Sequence, residues 1–446
     1  MKIIYLGFSI RVLIAIYNGF FGPSLGAEQD AVKFSEAAIL YANGKEHIFH
    51  NTYGPRSYSI LLSWIYKFTY ESIFVGCLFS CFAWFLSAIL ILKSTKLLKF
   101  SETNILFCLI IYSFLPSSIM LTSVTLREPI QLLFINLGFY FLIKFYISFQ
   151  KKNFKIIYFE KLLKQKKNKK LSLFQNFYRK KIDKVYLILK YIYNLKIINL
   201  IKITKIKGLF KKNYILYKLK NIANTETVYF TFFLIFLFIS ALFHRAILVF
   251  TSFSIFIVFS AILLQVLKKF IKRINLFMVL IIVTPISFYV LTLSLGILKV
   301  DIQEELFFTL SKIIQSQING HHVARATYLE GGIFFNLWDI INYSITSFIN
   351  YQLQPFPSSI SNFLDYVLFT ENILRFYFIL ICGIYIFVKN VTNKNLYTII
   401  FINYIFLEFI WGLGTVNYGT AIRHHIPGMG LLLLCYFNLS TIYEKK

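Results

Sequence analysis

A chain of 446 residues that is 57% hydrophobic and 19% aromatic, with a mean hydropathy of +0.66, carries more apolar surface than a soluble core of that size can hide. The formal net charge of +28 would suit a nucleic-acid partner, but residues 151–220 hold 22 Lys or Arg against Glu160 and Asp183, so +20 of it sits in one block. Composition therefore excludes a soluble enzyme and argues against nucleic acid as a partner. It leaves an all-α polytopic membrane protein with about ten transmembrane helices, in a range of 9–12.

The first element runs from Met1 to Phe21, apolar except for Lys2 and Arg11. Leu25-Gly26-Ala27 is a poor small-x-small cleavage site, so an uncleaved first span is expected. Further spans are expected near 72–92, 103–120, 128–148, 228–243, 246–267, 275–297, 372–389, 396–412 and 427–442. Lys93, Lys96 and Lys99, the 151–220 block, Lys268 to Arg273, Lys389 with Lys394, and Lys445 with Lys446 fall in alternate loops. The positive-inside rule then puts both termini in the cytoplasm, in what the reading takes as a bacterial inner membrane. Three parts are expected: a catalytic module of four spans at 1–150, a basic amphipathic cytoplasmic insertion at 151–225, and the C-terminal spans at 226–446 with outer loops at 298–335 and 413–425. Alternating Lys and apolar residues in the insertion suit helices lying on an anionic leaflet. Tyr58–Phe68 and Ile333–Asn350 are too doubtful for full spans and read as interfacial or re-entrant helices.

The five cysteines lie inside apolar runs without metal-ligand spacing and read as small buried hydrophobes, with no disulfide expected. The polar residues that stand out all fall on the outer side in this topology: Glu28, Asp30, Arg56, Arg127-Glu128, His244-Arg245, Arg325, and Arg423-His424-His425. Convergence of polar groups from distant parts of the chain on one membrane face suggests one site. Asp30 begins Asp-Ala-Val-Lys-Phe-Ser-Glu, where a helix would put Asp30, Phe34 and Ala37 on one side. A carboxylate so placed can serve as a general base or bind a cation, or simply cap the helix. Glu128, followed by Pro129, suits a helix N-terminus. His321-His322 in the 298–335 loop lack the i,i+4 spacing and third ligand of a zinc site. Arg423 and His424, after three glycines and before Pro427, offer donors suited to phosphate.

The order Arg11 in the first span, Asp30, Phe34 four residues on, then Gly54-Pro55, Tyr58 and apolar Ile60 to Tyr66 resembles the first outer loop of the GT-C class of glycosyltransferases, specifically the family 39-like enzymes that use polyprenyl-phosphate sugars. The resemblance implies a GT-C-like architecture and an inverting transfer of a sugar from a polyprenyl-phosphate donor to a lipid-linked or cell-surface glycan acceptor at the outer face. It implies catalytic roles for Asp30, Glu28 or Glu128, and phosphate binding by Arg423, His424, Arg127, Arg245, Arg325 and Arg56. A divalent cation, Mg or Mn, is a possible cofactor, with no metal ligand assigned. Relatives often carry two adjacent acids, whereas here Gln29 precedes Asp30 and Glu28 lies two back, which leaves the identity of the base open between them. Two alternatives are an O-antigen or surface-polysaccharide polymerase or ligase, and a lipid-linked oligosaccharide flippase or other transporter. The latter would show charges within its spans, and the expected spans are almost free of them.

Overall fold

The computed structural model describes residues 1–23, 27–46, 49, 52–167, 213–267, 327–328, 336–387 and 394–443. Fourteen α-helices are described: α1 (Lys2–Phe21), α2 (Glu28–Ala42), α3 (Pro55–Phe68), α4 (Ile73–Leu97), α5 (Glu102–Phe114), α6 (Pro116–Leu121), α7 (Glu128–Lys167), α8 (Asn213–Ala241), α9 (Arg245–Leu267), α10 (Leu337–Leu353), α11 (Phe363–Phe387), α12 (Lys394–Leu413), α13 (Tyr418–His425) and α14 (Met429–Tyr443). Among the described residues the one β pairing is an isolated antiparallel bridge between Thr327 and Asn417. Among the described residues six helices are long and apolar enough to cross a membrane: α1, α4, Glu128–Gln150 of α7, Arg245–Ile262 of α9, Phe363–Ile386 of α11, and α12. Glu102–Phe114 and Thr225–Ala241 add shorter apolar helices. The chain is an all-helical, multi-pass membrane protein.

Two compact units are distinguished, Met1–Tyr140 with Phe233–Lys446, and Phe141–Phe232. The second is held by ring contacts such as Phe141 on Phe232 at 5.0 Å and Phe145 on Phe230 at 5.4 Å. In the first, the two doubtful stretches are helices. α3 buries Tyr58, Leu62 and Tyr66 and exposes Trp64 and Phe68, and it packs on α2. α10 opens on a capping box in which Asn336 accepts from the Asp339 N–H and Asp339 accepts from the Asn336 N–H.

Three expected spans need revision. Helix α11 begins at Phe363 rather than 372, because Asn362 caps the Asp365 N–H while Asp365 accepts from the Ser361 N–H and hydroxyl. The span expected near 128–148 continues as helix to Lys167, so the start of the basic block extends α7. The 103–120 span is broken in two at Leu115. The expected 275–297 span, most of the basic insertion and most of the 298–335 loop lie outside the described residues.

The break between α5 and α6 follows from Pro116, which has no N–H to give and disfavours helix at the residue before it. In an unbroken helix the Ser113 carbonyl would accept from the Ser117 N–H. Here that one bond is replaced by two charged ones: Arg11 Nη1 donates to the Ser113 carbonyl at 2.8 Å, and the Ser117 N–H donates to Glu371 Oε1 at 2.9 Å. Irregular backbone within a membrane protein stands only where neighbouring groups satisfy it in this way. Arg11, fully buried, also donates to the Gly7 carbonyl, Thr122 Oγ1 at 2.8 Å and Ser118 Oγ at 3.1 Å, and its guanidinium lies 3.5 Å from the centre of the Trp84 ring. Asn18, two turns along α1, donates to the Ser123 carbonyl at 3.0 Å. Helix α1 thus fixes the segment that leads into Arg127 and Glu128. Arg11, already expected within the first span, and Glu371, just before the span expected at 372, are thus both buried among the helices.

Replacing Arg11 with Met would keep the side chain's length but leave the buried Ser113 carbonyl without a donor, costing about 1–3 kcal/mol. The expected outcome is a lower melting temperature of the purified protein in detergent; an unchanged value would show that the helix break stands without this arginine.

Candidate active site

Residues from both ends of the chain meet at Arg423. Its Nη1 donates to Asp30 Oδ2 at 2.6 Å and its Nη2 to Glu128 Oε1 at 3.2 Å, so one guanidinium bridges two carboxylates brought from α2 and α7. Arg127 Nε lies 3.9 Å from the same Glu128 oxygen. Two carboxylates and two guanidinium groups therefore balance. Their exposure differs: the Glu128 side chain is 1% exposed and the Asp30 side chain 45%. Glu128 holds Arg423 in place from inside, whereas Asp30 presents its carboxylate to the surface.

Burial alone would push the Asp30 carboxyl up, but the Arg423 guanidinium, by charge and hydrogen bond, with Arg127 and Lys33 beyond it, holds it below the usual carboxylate range. Burial works against the Arg423 charge as well, yet Glu128 and Asp30 more than offset it and hold that guanidinium protonated. Asp30 sits in the first turn of α2, where the helix dipole favours its charge, and Ala31, Phe34, Ala37 and Ala38 of the same helix are buried. That is the face expected from the sequence.

Helix α13 carries three consecutive basic residues, and successive residues of a helix point about 100° apart. Each therefore engages a different neighbour. Arg423 takes the two carboxylates. His424 stacks on Trp411 at 3.8 Å between ring centroids, and its Nδ1 donates at 2.8 Å to Thr415 Oγ1, whose own hydroxyl donates to the Trp411 carbonyl. His425 turns inward: Nε2 donates to the Tyr351 carbonyl at 3.2 Å, and Nδ1 meets Glu408 Oε2 at 2.5 Å. With Nε2 committed as a donor, one proton must lie between His425 Nδ1 and Glu408. Gln352 donates to the same Glu408 oxygen at 2.9 Å. The backbone at Gly428 passes close to this carboxyl, since a Cβ there would come within 2.9 Å of Glu408 Oε1 and 3.2 Å of the Tyr404 ring.

The hairpin between α8 and α9 closes another side. Tyr53 donates to the Ala241 carbonyl at 2.9 Å, and Arg127 Nη1 and Gln131 Nε2 approach the Phe243 carbonyl at 3.4 and 3.5 Å. Gly54, at φ +88°, lies so close that a Cβ would fall 2.7 Å from that carbonyl. The hairpin brings the His244 ring to 4.3 Å from Trp411 and 6.0 Å from His424.

Of the residues expected from the sequence, the structure joins Asp30, Glu128, Arg127, Arg423 and His424. Glu28 is the first residue of α2, and its side chain is outside the described residues, as is Arg325 altogether. Arg245 opens α9 on the hairpin and is exposed; Arg56 is exposed on the first turn of α3 and makes none of the contacts that assemble the cluster. Sequence reasoning missed Glu408 and Glu371, each of which stood out only as an acid inside an apolar run. Among the described residues no group of three or more His, Cys, Asp or Glu side chains is placed to hold a metal ion, and a divalent cation at Asp30 and Glu128 would compete with guanidinium groups already there.

Residues 53–160 match the family model of dolichyl-phosphate-mannose-protein mannosyltransferase. The match covers about a quarter of the chain and includes α3 to α6, Arg127 and Glu128, while Asp30 and Arg423 lie outside it. Neither the curated proteins nor the solved structures contain a significant match to the chain.

The Asp30–Arg423 pair sets a pH dependence. A carboxyl whose folded pKa is lowered is fully ionised above its ordinary value near about 4, and both the ion pair and any base capacity are lost only as pH falls through the lowered value. Activity that depends on ionised Asp30 should accordingly show no acid limb above about pH 4 from this group. In Arg423→Gln the burial that opposes ionisation loses its counterweight, so any residual activity should acquire an acid limb displaced upward by about 1–3 pH units. A pH–rate profile of the two proteins measures this; coincident limbs would show that Arg423 does not govern Asp30.

Proposed function

We propose that this chain is a membrane glycosyltransferase that takes a sugar from a polyprenyl-phosphate donor and transfers it to a hydroxyl of a glycan or other surface acceptor. The observation that carries this reading is the Arg423 bridge, which sets a half-exposed carboxylate, Asp30, beside a fixed cationic group with Glu128 behind it. The matched family model names a polyprenyl-type phosphate sugar as donor and thereby supports the same chemistry.

In this mechanism Asp30 takes the proton of the acceptor hydroxyl as that oxygen attacks the anomeric carbon. The carbon–oxygen bond to phosphate breaks, its electron pair leaves with the polyprenyl phosphate, and the configuration inverts because attack and departure occur on opposite faces. The leaving phosphate gains negative charge, and Arg423, with Arg127 beside it and Arg245 at the start of α9, supplies the counter-charge. Glu128 serves as the buried support that keeps Arg423 aimed. The lowered pKa of Asp30 keeps it ionised and ready to accept a proton, at the expense of basicity. A base held this way acts as the acceptor's proton becomes acidic in the transition state.

Asp30→Asn keeps the shape but removes the base, and transfer from polyprenyl-phosphate mannose or a related donor should fall by on the order of 10²- to 10⁴-fold. Arg423→Lys keeps one charge but loses the planar fork that reaches both carboxylates, and should fall comparably. Near-normal transfer by Asp30→Asn alongside a dead Arg423→Lys would instead favour a polymerase or ligase that relies on arginine alone.

The orientation that supports this reading has both termini in the cytoplasm of a bacterial inner membrane and the site on the outer face. Single cysteines introduced at positions 320 and 165 test it: impermeant labelling of intact cells should reach the first and miss the second. The reverse pattern would place the site on the cytoplasmic face.

A further inference from the structure

His244 lies on the hairpin between α8 and α9 and has two separable parts. Its carbonyl accepts from the Leu248 N–H and its Nδ1 accepts from the Ala246 N–H at 3.1 Å, so it is the N-cap of α9. Because Nδ1 is used as an acceptor, it carries no proton, and the ring is neutral with its hydrogen on Nε2. The cap does not use Nε2. The hairpin is fastened by Tyr53, Gly54, Arg127 and Gln131, and the imidazole is braced by Trp411, so the ring's direction is set by contacts on two sides. Around it stand Arg127 and Arg245 in the adjoining segments and His424, which packs on the same Trp411 ring at 6.0 Å from the His244 ring.

We infer that His244 is a substrate-binding residue of this site: its neutral imidazole offers Nε2–H as a hydrogen-bond donor to an anionic phosphate oxygen of the lipid donor, between Arg127 and Arg245. This rests on the reading of the chain as an enzyme that uses a polyprenyl-phosphate donor. Burial, followed by the charges of Arg127, Arg423 and Arg245, holds the imidazole far below its usual pKa, in agreement with the neutral tautomer that the cap requires. A donor that stays uncharged adds a directed hydrogen bond where another cation would be repelled by the arginines already present. A cap alone does not call for histidine, since asparagine and serine are better N-caps.

That preference separates the two roles. Asn and Ser keep the cap and lose the distant donor, whereas Gln places an amide N–H near the Nε2 position and caps poorly. Binding of decaprenyl phosphate and of the uncharged alcohol decaprenol to the purified full-length protein in detergent is the measurement, with melting temperature as the check on folding. The wild-type protein should prefer the phosphate. His244→Asn and His244→Ser should keep their melting temperature and lose on the order of 10- to 100-fold in affinity for the phosphate, with no change for the alcohol. His244→Gln should retain most of the affinity even if it melts lower. Phosphate binding as tight as wild type in a folded His244→Asn or His244→Ser, or equal losses in Gln and Asn, would overturn the inference while leaving the enzyme reading intact. A wild-type protein that binds alcohol and phosphate equally would overturn the donor reading and this inference together.

Discussion

A single guanidinium near one end of the chain, holding two carboxylates from its first third, is the contact on which this site depends. Asp30 follows the first span, Glu128 begins α7, one helix beyond the Pro116 break, and Arg423 lies just before the last described helix. The bridge ties those three regions into one site. An arginine so buried is costly unless its donors and charge are met. Here the two carboxylates meet the charge, and the difference in their burial divides their tasks: Glu128 supports from within, and Asp30 faces outward.

The same logic recurs deeper in the protein. Arg11 and Glu371 take the two halves of the backbone bond that Pro116 breaks, and by doing so they fix the turn from which Arg127 and Glu128 emerge. Glu408 and His425 share a proton beneath α13, so the short helix that carries Arg423 is pinned from the side away from the carboxylates. Three consecutive basic residues on eight residues of helix thereby reach five different elements or turns. Polar groups buried at such depth are tolerated because each is tied to a partner, and together they specify one arrangement of the surrounding helices.

Much of this was legible in the chain. Apolar runs located most spans, and the residues that interrupted them on one side, Asp30, Arg127-Glu128 and Arg423-His424, are the ones that meet. A carboxylate or arginine beside a membrane span signals a task because its desolvation is expensive. Other residues gave weaker signals. Glu371 and Glu408 each stand alone in an apolar segment, and nothing near them in the sequence names a partner. Arg56 carried the same signal as Arg127, yet the helix phase of α3 turns it outward.

By itself the sequence determined that the chain is helical and membrane-embedded, because hydropathy and helical periodicity are local and summed over many residues. It also determined which residues were candidates, since charge beside a span is a local oddity. Tertiary structure alone decided that Arg423 belongs to both Asp30 and Glu128, that Arg11 and Glu371 divide a single broken backbone bond, and that Glu408 lies behind His425. Those pairings join residues up to 393 positions apart. They are set by which helix faces pack together, and a pairing between faces leaves no mark on the spacing of residues along the chain.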